Sequence, residues 1–381
     1  MAGRWYESWP AILNPICATD PYFIMRSYLY VLILFLLAAS VILAIFHYGD
    51  VPNRHNNGFK RSYFKGAYSG WQERKLRDTL YGIVGVTPWN VYISTATEGE
   101  VLEVRKDLKG KIKRIRIPFF ARWYDSLQFS SLSIRIDSPH IYLFAENKPA
   151  IVKTNFDSSS FEVRILPPGG FSREVMAGPD CFILRKLEPR LTDQLFVRYT
   201  FSTGLLKKEV NISETYGDGG IISDGQLHFD DSTKQLYYIY YYKNLLLSFD
   251  TSLAFVNKFT SIDTTMSFKM KTGLVKNSGT TAFTNVTPAN IINRLNYVQD
   301  GLLFNISTLK ADNESNKFFS ENSIIDIIDL KNGKYLGSIG LPLSNGARLS
   351  QFVISGNRLV GLYPNSIIIY ELNPDLGRQG Q

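Results

Sequence analysis

The chain has 381 residues, a net charge of +8 and a pI near 9.2, with 45% hydrophobic, 20% charged and 14% aromatic residues. This balance excludes a mainly disordered chain, and the basic charge comes without a nucleic-acid-binding motif. The two cysteines, Cys17 and Cys181, lack metal-type spacing, and the four histidines are too few and scattered to indicate a metal site.

An apolar segment near the N-terminus predicts a transmembrane helix over residues 27–49, preceded by an N-terminal tail over 1–26. The segment contains no charged residue, and about 20 apolar residues span the ~30 Å hydrocarbon core of a bilayer. Tyr28, Tyr30 and Tyr48 lie near its ends, where aromatic rings favour the membrane interface. A buried core helix is the alternative, while a cleaved signal peptide would have a shorter apolar stretch.

The charges that flank this helix do not settle the side of the membrane on which the main domain lies. Arg54, Lys60, Arg61 and Lys65 follow the helix, and the positive-inside rule would place them in the cytoplasm. Long C-terminal domains, however, often cross the membrane whatever their charge.

Residues 50–80 combine basic and aromatic side chains and are predicted to form a stem. Basic side chains near a membrane are attracted to anionic lipid by about 1 kcal/mol each. The side chains predicted to contact the membrane surface are Arg54, Lys60, Arg61, Lys65 and Trp71. A solvated linker is the alternative. A second basic stretch, 105–116, is expected to be a solvated outer sheet edge, where lysine discourages edge-to-edge pairing.

Short strands separated by tight turns follow the stem and predict an all-β domain. The clearest four are Gln226–Asp230, Gln235–Tyr241, Leu245–Phe249 and Leu253–Phe259. Their turns are too short for anything but antiparallel neighbours. The tyrosine run at 237–242 is expected to be core rather than a stacking surface.

Similar groups of strands recur along the chain, near 82–118, 131–165, 181–210, 226–260, 296–340 and 349–372. A repeat of roughly 48 residues is typical of propeller blades. The sequence therefore predicts a six-bladed β-propeller over 81–373, with seven blades as the alternative count and a β-sandwich as the competing fold. The last unit shows three clear strands, so a segment near 80–86 is expected to close the ring. Residues 374–381 are predicted to be a disordered tail.

The chain offers few candidates for chemistry. It has no Gly-x-Ser-x-Gly nucleophile elbow and no phosphate-binding loop. His228 is the candidate catalytic residue, because it lies on the first strand of its unit beside Asp224 and Asp230; a structural hydrogen bond is the alternative. The glycine-rich run 216–225 is expected to be a turn rather than a calcium loop. No metal, cofactor or nucleic acid is predicted.

The stretch Asp224–Asn244, followed by Asp250–Leu253 and Ser261–Thr264, resembles uncharacterised membrane-anchored six-bladed propeller proteins of Bacteroidetes. The resemblance covers about 220–372 in sequence and the first half only in architecture. It implies an anchor in the inner (cytoplasmic) membrane, a periplasmic propeller and a DoxX/MauE-like integral membrane partner. It carries over no catalytic residues.

Two functions follow from these features. The first is a membrane-anchored propeller that binds a protein or peptide as an accessory subunit at the cell envelope. It is supported by the anchor, by the absence of a catalytic constellation and by the long polar loop 274–294, since long loops tend to lie over the ring faces. The second is a propeller hydrolase or lyase that acts on a small extracytoplasmic substrate, which requires a polar, acid-lined axial funnel.

Overall fold

The computed structural model describes residues 21–49, 57–97, 99–117, 132–146, 149–157, 160–167, 169–187, 193–210, 216–264, 270–277, 280–287 and 290–377. The chain divides into two compact units, Met1–Asn56 and Asn57–Gln381. The first contains helix α1, Pro21–Gly49. Across the described part of the chain, no helix is both long and apolar enough to cross a membrane, so the predicted transmembrane helix is not found there.

The second unit consists almost entirely of antiparallel strands, because short runs of β-branched and aromatic residues alternate with turn residues along its length. In chain order the strands are β1 (Tyr68–Lys75), β2 (Leu80–Val86), β3 (Asn90–Thr95), β4 (Glu100–Arg105), β5 (Lys113–Arg116), β6 (Leu132–Asp137), β7 (His140–Ala145), β8 (Ala150–Asn155), β9 (Phe161–Ile165), β10 (Phe171–Met176), β11 (Cys181–Leu187), β12 (Gln194–Thr200), β13 (Leu205–Val210), β14 (Gly225–Asp230), β15 (Gln235–Tyr240), β16 (Leu246–Asp250), β17 (Phe255–Phe259), β18 (Thr272–Asn277), β19 (Thr280–Asn285), β20 (Asn293–Gln299), β21 (Leu302–Ser307), β22 (Asn322–Asp329), β23 (Lys334–Pro342), β24 (Gln351–Ser355), β25 (Arg358–Tyr363) and β26 (Ser366–Leu372). A short helix α2, Asn316–Glu321, precedes β22 and is capped by Ser315.

Within the described residues these strands form six four-stranded meanders and one separate hairpin. The meanders are β2–β5, β6–β9, β10–β13, β14–β17, β20–β23 and the group β24–β25–β26–β1. The first two join into one continuous sheet through a parallel bridge between Gly85 and Ile136. The hairpin β18–β19 lies in the long loop that the sequence assigned to a ring face.

The first strands of the meanders lie side by side in a ring. Contacts run from β2 to β6, from β10 to β14, from β14 to β20, from β20 to β24 and from β24 back to β2. The Arg135–Glu174 ion pair joins β6 to β10. This circular arrangement of meanders about an axis is the architecture of a β-propeller.

The ring is closed by β1, and not by the predicted segment near 80–86. Trp71 on β1 is the antiparallel partner of Tyr370 on β26, so a strand from the N-terminal side completes the last meander. Residues 80–86 instead form β2, the innermost strand of the first meander. Five of the eight side chains of β1 are exposed, and this polar pattern is typical of an edge strand and is easily mistaken for a linker.

The ends of the β domain also differ from the predicted boundaries. The compact unit begins at Asn57 rather than at 81, because part of the predicted stem belongs to it. At the C-terminus, Pro374–Gly377 forms a 3-10 helix, so this part of the predicted tail is ordered. Leu376 is 6% exposed and packs in the core shared by the fifth and sixth meanders.

The core lies between neighbouring meanders, as the packing of one sheet face against the next requires. Strand β15 is buried on both faces: Tyr237, Tyr238 and Tyr240 are each 2% exposed or less. The Tyr238 ring meets Phe196 of the third meander edge to face, with centroids 4.9 Å apart. The expectation that the tyrosine run is core is confirmed for residues 237–240, whereas Tyr241 and Tyr242 are half-buried.

Candidate functional site

A polar cavity of about 690 Å³ lies inside the ring formed by the innermost strands. Side chains of β2, β6, β10, β14, β20 and β24 all contribute to its wall. In a strand, alternate side chains point to the same face, which explains why polar residues at i and i+2 meet there. Such pairs are Ser133 with Arg135, Ser172 with Glu174, and Gln226 with His228.

Arg135 and Glu174 form an ion pair on one wall of this axial cavity. Their closest nitrogen and oxygen atoms are 3.1 Å apart, and the Glu174 side chain is only 5% exposed. Ser133 Oγ donates a further hydrogen bond of 2.8 Å to Glu174. The pair offers a ligand a guanidinium that is 43% exposed and already fixed in orientation by its partner.

A second charged cluster lies where β10 and β14 begin. Asp224 accepts hydrogen bonds from Arg173 at 2.6 Å and from Arg185 at 3.1 Å. Arg185 is fully buried and also donates to the carbonyl of Gly220 at 2.7 Å. The Arg173 guanidinium lies over the Tyr241 ring, 5.5 Å from its centroid. Asp224 is therefore held by two cations, and this cluster fixes the glycine-rich turn against the third meander.

Glu146 differs from Glu174, the other acid in the described lining of the cavity, because no described residue donates a hydrogen bond to its carboxylate or forms an ion pair with it. It follows β7 and lines the cavity. Burial, and secondly repulsion from Glu174, raise the pKa of Glu146 to about 7 against the opposing effect of the Arg173 cation. Near neutral pH this carboxyl can bind a ligand cation or transfer a proton.

His228 also lines the cavity, in agreement with its expected place on an innermost strand. Its Nε2 lies 2.5 Å from Asn296 Oδ1 on β20, and the ring meets Tyr297 edge to face. Burial lowers the pKa of His228 to about 4, against the opposing effect of the hydrogen bond to Asn296. The imidazole is therefore neutral at physiological pH.

The three predicted catalytic candidates do not form one site. Asp224 is occupied by Arg173 and Arg185. Asp230 caps the β14–β15 turn through Ser232 and accepts from the backbone N–H of Gly301 at 2.8 Å. It lies at the far end of β14 from Asp224, so the proposed grouping with His228 is wrong.

The predicted lipid-contact residues separate into three groups. Arg54 lies outside the described residues, while Lys60, Lys65 and Trp71 are exposed. The prediction that Arg61 contacts lipid is wrong, since this residue is only 3% exposed. It forms ion pairs with Asp326 at 2.7 Å and with Glu314 at 3.0 Å, both of which are buried. Its charge is neutralised inside the protein and is not available to a membrane.

The second basic stretch is an outer sheet edge, as expected. Arg114 on β5 pairs with Asp78 and Glu100, and Lys113 lies 3.7 Å from Glu103. Three of its seven cations, Arg105, Lys113 and Arg114, thus pair with a local acid in the described structure.

A second cavity of about 850 Å³ lies between the fourth, fifth and sixth meanders. Its lining includes Asp300, Asp329 and Lys331 beside neutral residues such as Tyr237, Phe259 and Asn357. Although this cavity is larger, the axial cavity is lined by all six innermost strands and contains the Arg135–Glu174 ion pair, and we therefore take the axial cavity as the candidate site. Within the described ranges, no three His, Cys, Asp or Glu side chains converge as metal ligands would.

Comparisons with known proteins identify the architecture. No family model and no curated protein matches the chain. Among solved structures, a member of the DUF4221 family from Bacteroides vulgatus is 12% identical, with a TM-score of 0.52 over 80% of this chain and 97% of that one. A protein of unknown function from Bacteroides thetaiotaomicron is 10% identical, with a TM-score of 0.48 over 82% of this chain and 75% of that one. Virginiamycin B lyase from Staphylococcus aureus is 11% identical, with a TM-score of 0.46 over 80% of this chain and 99% of that one.

The similarity to the DUF4221 family member, which has a TM-score above 0.5, shows the fold. The chain has an all-β, propeller-like architecture, which confirms that part of the prediction. The Bacteroides vulgatus structure agrees in fold with the resemblance noted in the sequence. The blade number, the membrane anchor and the DoxX/MauE-like partner stay predictions.

Proposed function

We propose that the protein is a membrane-anchored six-bladed propeller that binds peptides, or an exposed peptide segment of an envelope protein, in its axial cavity. The observation that carries this proposal is the combination of groups in the cavity. The Glu146 carboxylate, which has no partner among the described residues, lies in the same cavity as the oriented guanidinium of Arg135 and the neutral pair His228–Asn296. A peptide carries the complementary set, namely an ammonium, a carboxylate and uncharged amides.

Calorimetric titration of the full chain in detergent with trialanine tests this proposal. We expect saturable binding at about pH 7.5, below the pKa of the peptide amine, and roughly 10- to 100-fold weaker binding in Glu146→Gln, because a hydrogen bond to a charged group contributes about 1.5–3 kcal/mol. N-acetyl-trialanine should lose the same factor, since it lacks the ammonium but keeps the carboxylate. Glu162→Gln is the matched control, because Glu162 lies on β9 of the same meander and is 49% exposed outside the cavity. Absence of trialanine binding overturns the proposal.

The anchor is proposed from the uncharged segment 27–49, which lies within helix α1. From Tyr28 to Ala44 every described side chain is exposed except that of Ala39, which is half-buried. A continuous apolar surface of this kind is typical of membrane or protein contact. We place the helix in the inner membrane and the propeller in the periplasm, with a DoxX/MauE-like integral membrane protein as partner.

Protease treatment of intact spheroplasts tests the localisation. Digestion of the propeller before lysis supports a periplasmic domain, whereas digestion only after lysis places it in the cytoplasm. Affinity purification in mild detergent tests the partner: a stoichiometric membrane protein is expected, and recovery of this chain alone under several detergents contradicts a stable partner.

A second candidate function, a hydrolase or lyase, is favoured by Glu146 itself. A carboxyl group whose pKa lies near 7 is suited to general acid–base catalysis. If the protein is such an enzyme, bound trialanine is cleaved, and Glu146→Gln abolishes the cleavage. Chromatographic recovery of intact trialanine after prolonged incubation with the wild-type protein excludes this activity on the probe.

A further inference from the structure

The pair His228–Asn296 leaves a hydrogen-bond donor unused in the wall of the axial cavity. His228 Nε2 lies 2.5 Å from Asn296 Oδ1, and because an amide oxygen only accepts, the ring Nε2 carries the proton and donates. Asn296 is 6% exposed, and its Nδ2 has no hydrogen-bond partner among the described residues. A buried amide donor without a partner is unfavourable, so a ligand that supplies a hydrogen-bond acceptor would be stabilised there.

The same tautomer gives the pair an acceptor. With the proton on Nε2, His228 Nδ1 carries a lone pair. The ring is neutral because burial lowers the pKa of His228 to about 4. One donor, Asn296 Nδ2, and one acceptor, His228 Nδ1, therefore lie on neighbouring innermost strands that both line the cavity. Neither group carries a charge.

This arrangement matches one residue of an extended peptide. In such a residue the backbone N–H and C=O bond to the same partner, as in a hydrogen-bonded pair of an antiparallel sheet. A carboxylate ligand offers acceptors only, and the lone pair of His228 Nδ1 would repel it. An ammonium offers donors only, and would leave Asn296 Nδ2 without a partner.

We infer that the pair His228–Asn296 is the amide-recognition element of the axial site: a ligand carbonyl accepts from Asn296 Nδ2 and a ligand N–H donates to His228 Nδ1. This inference rests on the proposed function and specifies it further, since it assigns the uncharged part of the ligand to a peptide backbone. Glu146 and Arg135 would then contact the charged ends.

The test uses the full chain in detergent micelles with ¹⁵N-labelled histidine. The chain has four histidines, so His228 can be assigned by comparison with His228→Gln. The probe is N-acetyl-alanine methylamide, which is uncharged and offers one residue with both groups. We expect saturable shifts of the His228 ring nitrogens. Acetate at the same concentration is expected to leave them unchanged.

The informative variant is Asn296→Asp, which retains the acceptor for His228 Nε2 and removes the donor. We expect at least 10-fold weaker probe binding, with the His228 signal still resolved. Asn305→Asp is the matched control. Asn305 is an equally buried asparagine, opposite Asn296 on β21, but does not line the cavity. It should change the affinity less than twofold.

Each result decides the inference separately from the proposed function. Trialanine binding without any probe-induced shift of His228 overturns the inference and leaves peptide binding intact. Probe binding without trialanine binding overturns the proposed function and leaves the amide-recognition role of the pair intact. Equal shifts with acetate overturn the inference, because they show that the pair does not require a ligand N–H. Unchanged probe affinity in Asn296→Asp also overturns it and indicates that a buried water, rather than the ligand, satisfies the donor. If Asn296→Asp does not fold, the comparison of the probe with acetate in the wild type decides the matter.

Discussion

Arg61 and Asp326 form a two-point ion pair across 265 residues of sequence. Nε and Nη2 of Arg61 donate to the two carboxylate oxygens of Asp326 at 2.7 and 2.9 Å, and Nη1 donates to Glu314 at 3.0 Å. The backbone around Arg61 also bonds to Asn313 and, through Ser62, to Ser338 of β23. The segment that begins at Asn57 is thus fixed to the fifth meander by buried charge and by backbone pairing.

Removal of Arg61 should strongly destabilise the propeller. Arg61→Ala leaves the carboxylates of Asp326 and Glu314 buried without their cation, which typically costs about 3–5 kcal/mol. Urea unfolding followed by tryptophan fluorescence measures the change. The control is Arg105→Ala: Arg105 pairs with Asp107 but is 64% exposed, so its removal should cost at most about 1 kcal/mol. Equal effects of the two substitutions would contradict the structural role of Arg61.

Deletion of β1 should open the ring. Without Tyr68–Lys75, the apolar strand β26 becomes a sheet edge, and exposed edges of this kind promote aggregation. A chain that lacks residues 1–56 and carries Gly and Ser in place of Tyr68–Lys75 keeps Arg61, and it is therefore expected to aggregate or to unfold at a lower temperature than one that lacks only residues 1–56. Size-exclusion chromatography and thermal unfolding compare the two. Identical behaviour would show that β1 is dispensable for closure.

Glu146 should make peptide affinity depend on pH. Because the pKa of Glu146 is raised to about 7, the carboxylate forms as the pH rises towards neutrality, and binding of the trialanine ammonium should strengthen between about pH 5.5 and pH 7.5. The dependence should be absent in Glu146→Gln. Calorimetric titrations at several pH values, all below the pKa of the peptide amine, measure it.

The same group should affect stability in the opposite direction. The folded protein retains the Glu146 proton up to about pH 7, whereas an unfolded chain releases it near the ordinary value of 4.5. Between these values the native state binds more protons, so the stability due to this group falls as the pH rises. Urea midpoints of the wild type should therefore decline relative to those of Glu146→Gln between pH 4.5 and 7. A constant difference would mean that the pKa of Glu146 is not raised.

The apolar segment should determine membrane association. A chain without residues 1–49 is expected in the soluble fraction after alkaline carbonate extraction, while the full chain stays in the pellet, because about 20 apolar residues suffice to span a bilayer. Substitution of Lys60 and Lys65 by alanine should leave the full chain in the pellet. Extraction of the unaltered chain by carbonate would contradict a spanning anchor.

The strands could be predicted from the sequence where dense apolar runs and turn residues indicated the same boundaries. In the fourth meander, dense apolar runs alternate with Asp- and Ser-containing turns, and the predicted strands match β14 to β17 within two residues. The strand β1 was missed because its sequence, Tyr-Ser-Gly-Trp-Gln-Glu-Arg-Lys, is too polar to indicate a strand, and its partner is almost 300 residues away. Long-range pairing of this kind is set by the closed ring rather than by local sequence.

The site could be predicted only in part, because its residues are brought together by the closed ring rather than by local sequence. His228 was found because histidine is rare and its strand was recognisable. Glu146 and Asn296 come from different meanders, and they share a cavity only after the ring forms. The one available signal was the alternation of polar residues on innermost strands, as in Ser133 with Arg135. The burial of Arg61 had no signal, since an isolated arginine in a basic segment gives no indication of its acidic partners.

A crystal structure of the full chain with trialanine tests the central claim most directly. The account predicts peptide density in the axial cavity, with the ammonium within roughly 3 Å of the Glu146 carboxylate, a normal distance for a charge-assisted hydrogen bond. Density for the peptide in the 850 Å³ cavity between the fourth, fifth and sixth meanders, or an axial cavity that holds only water at saturating trialanine, would contradict it.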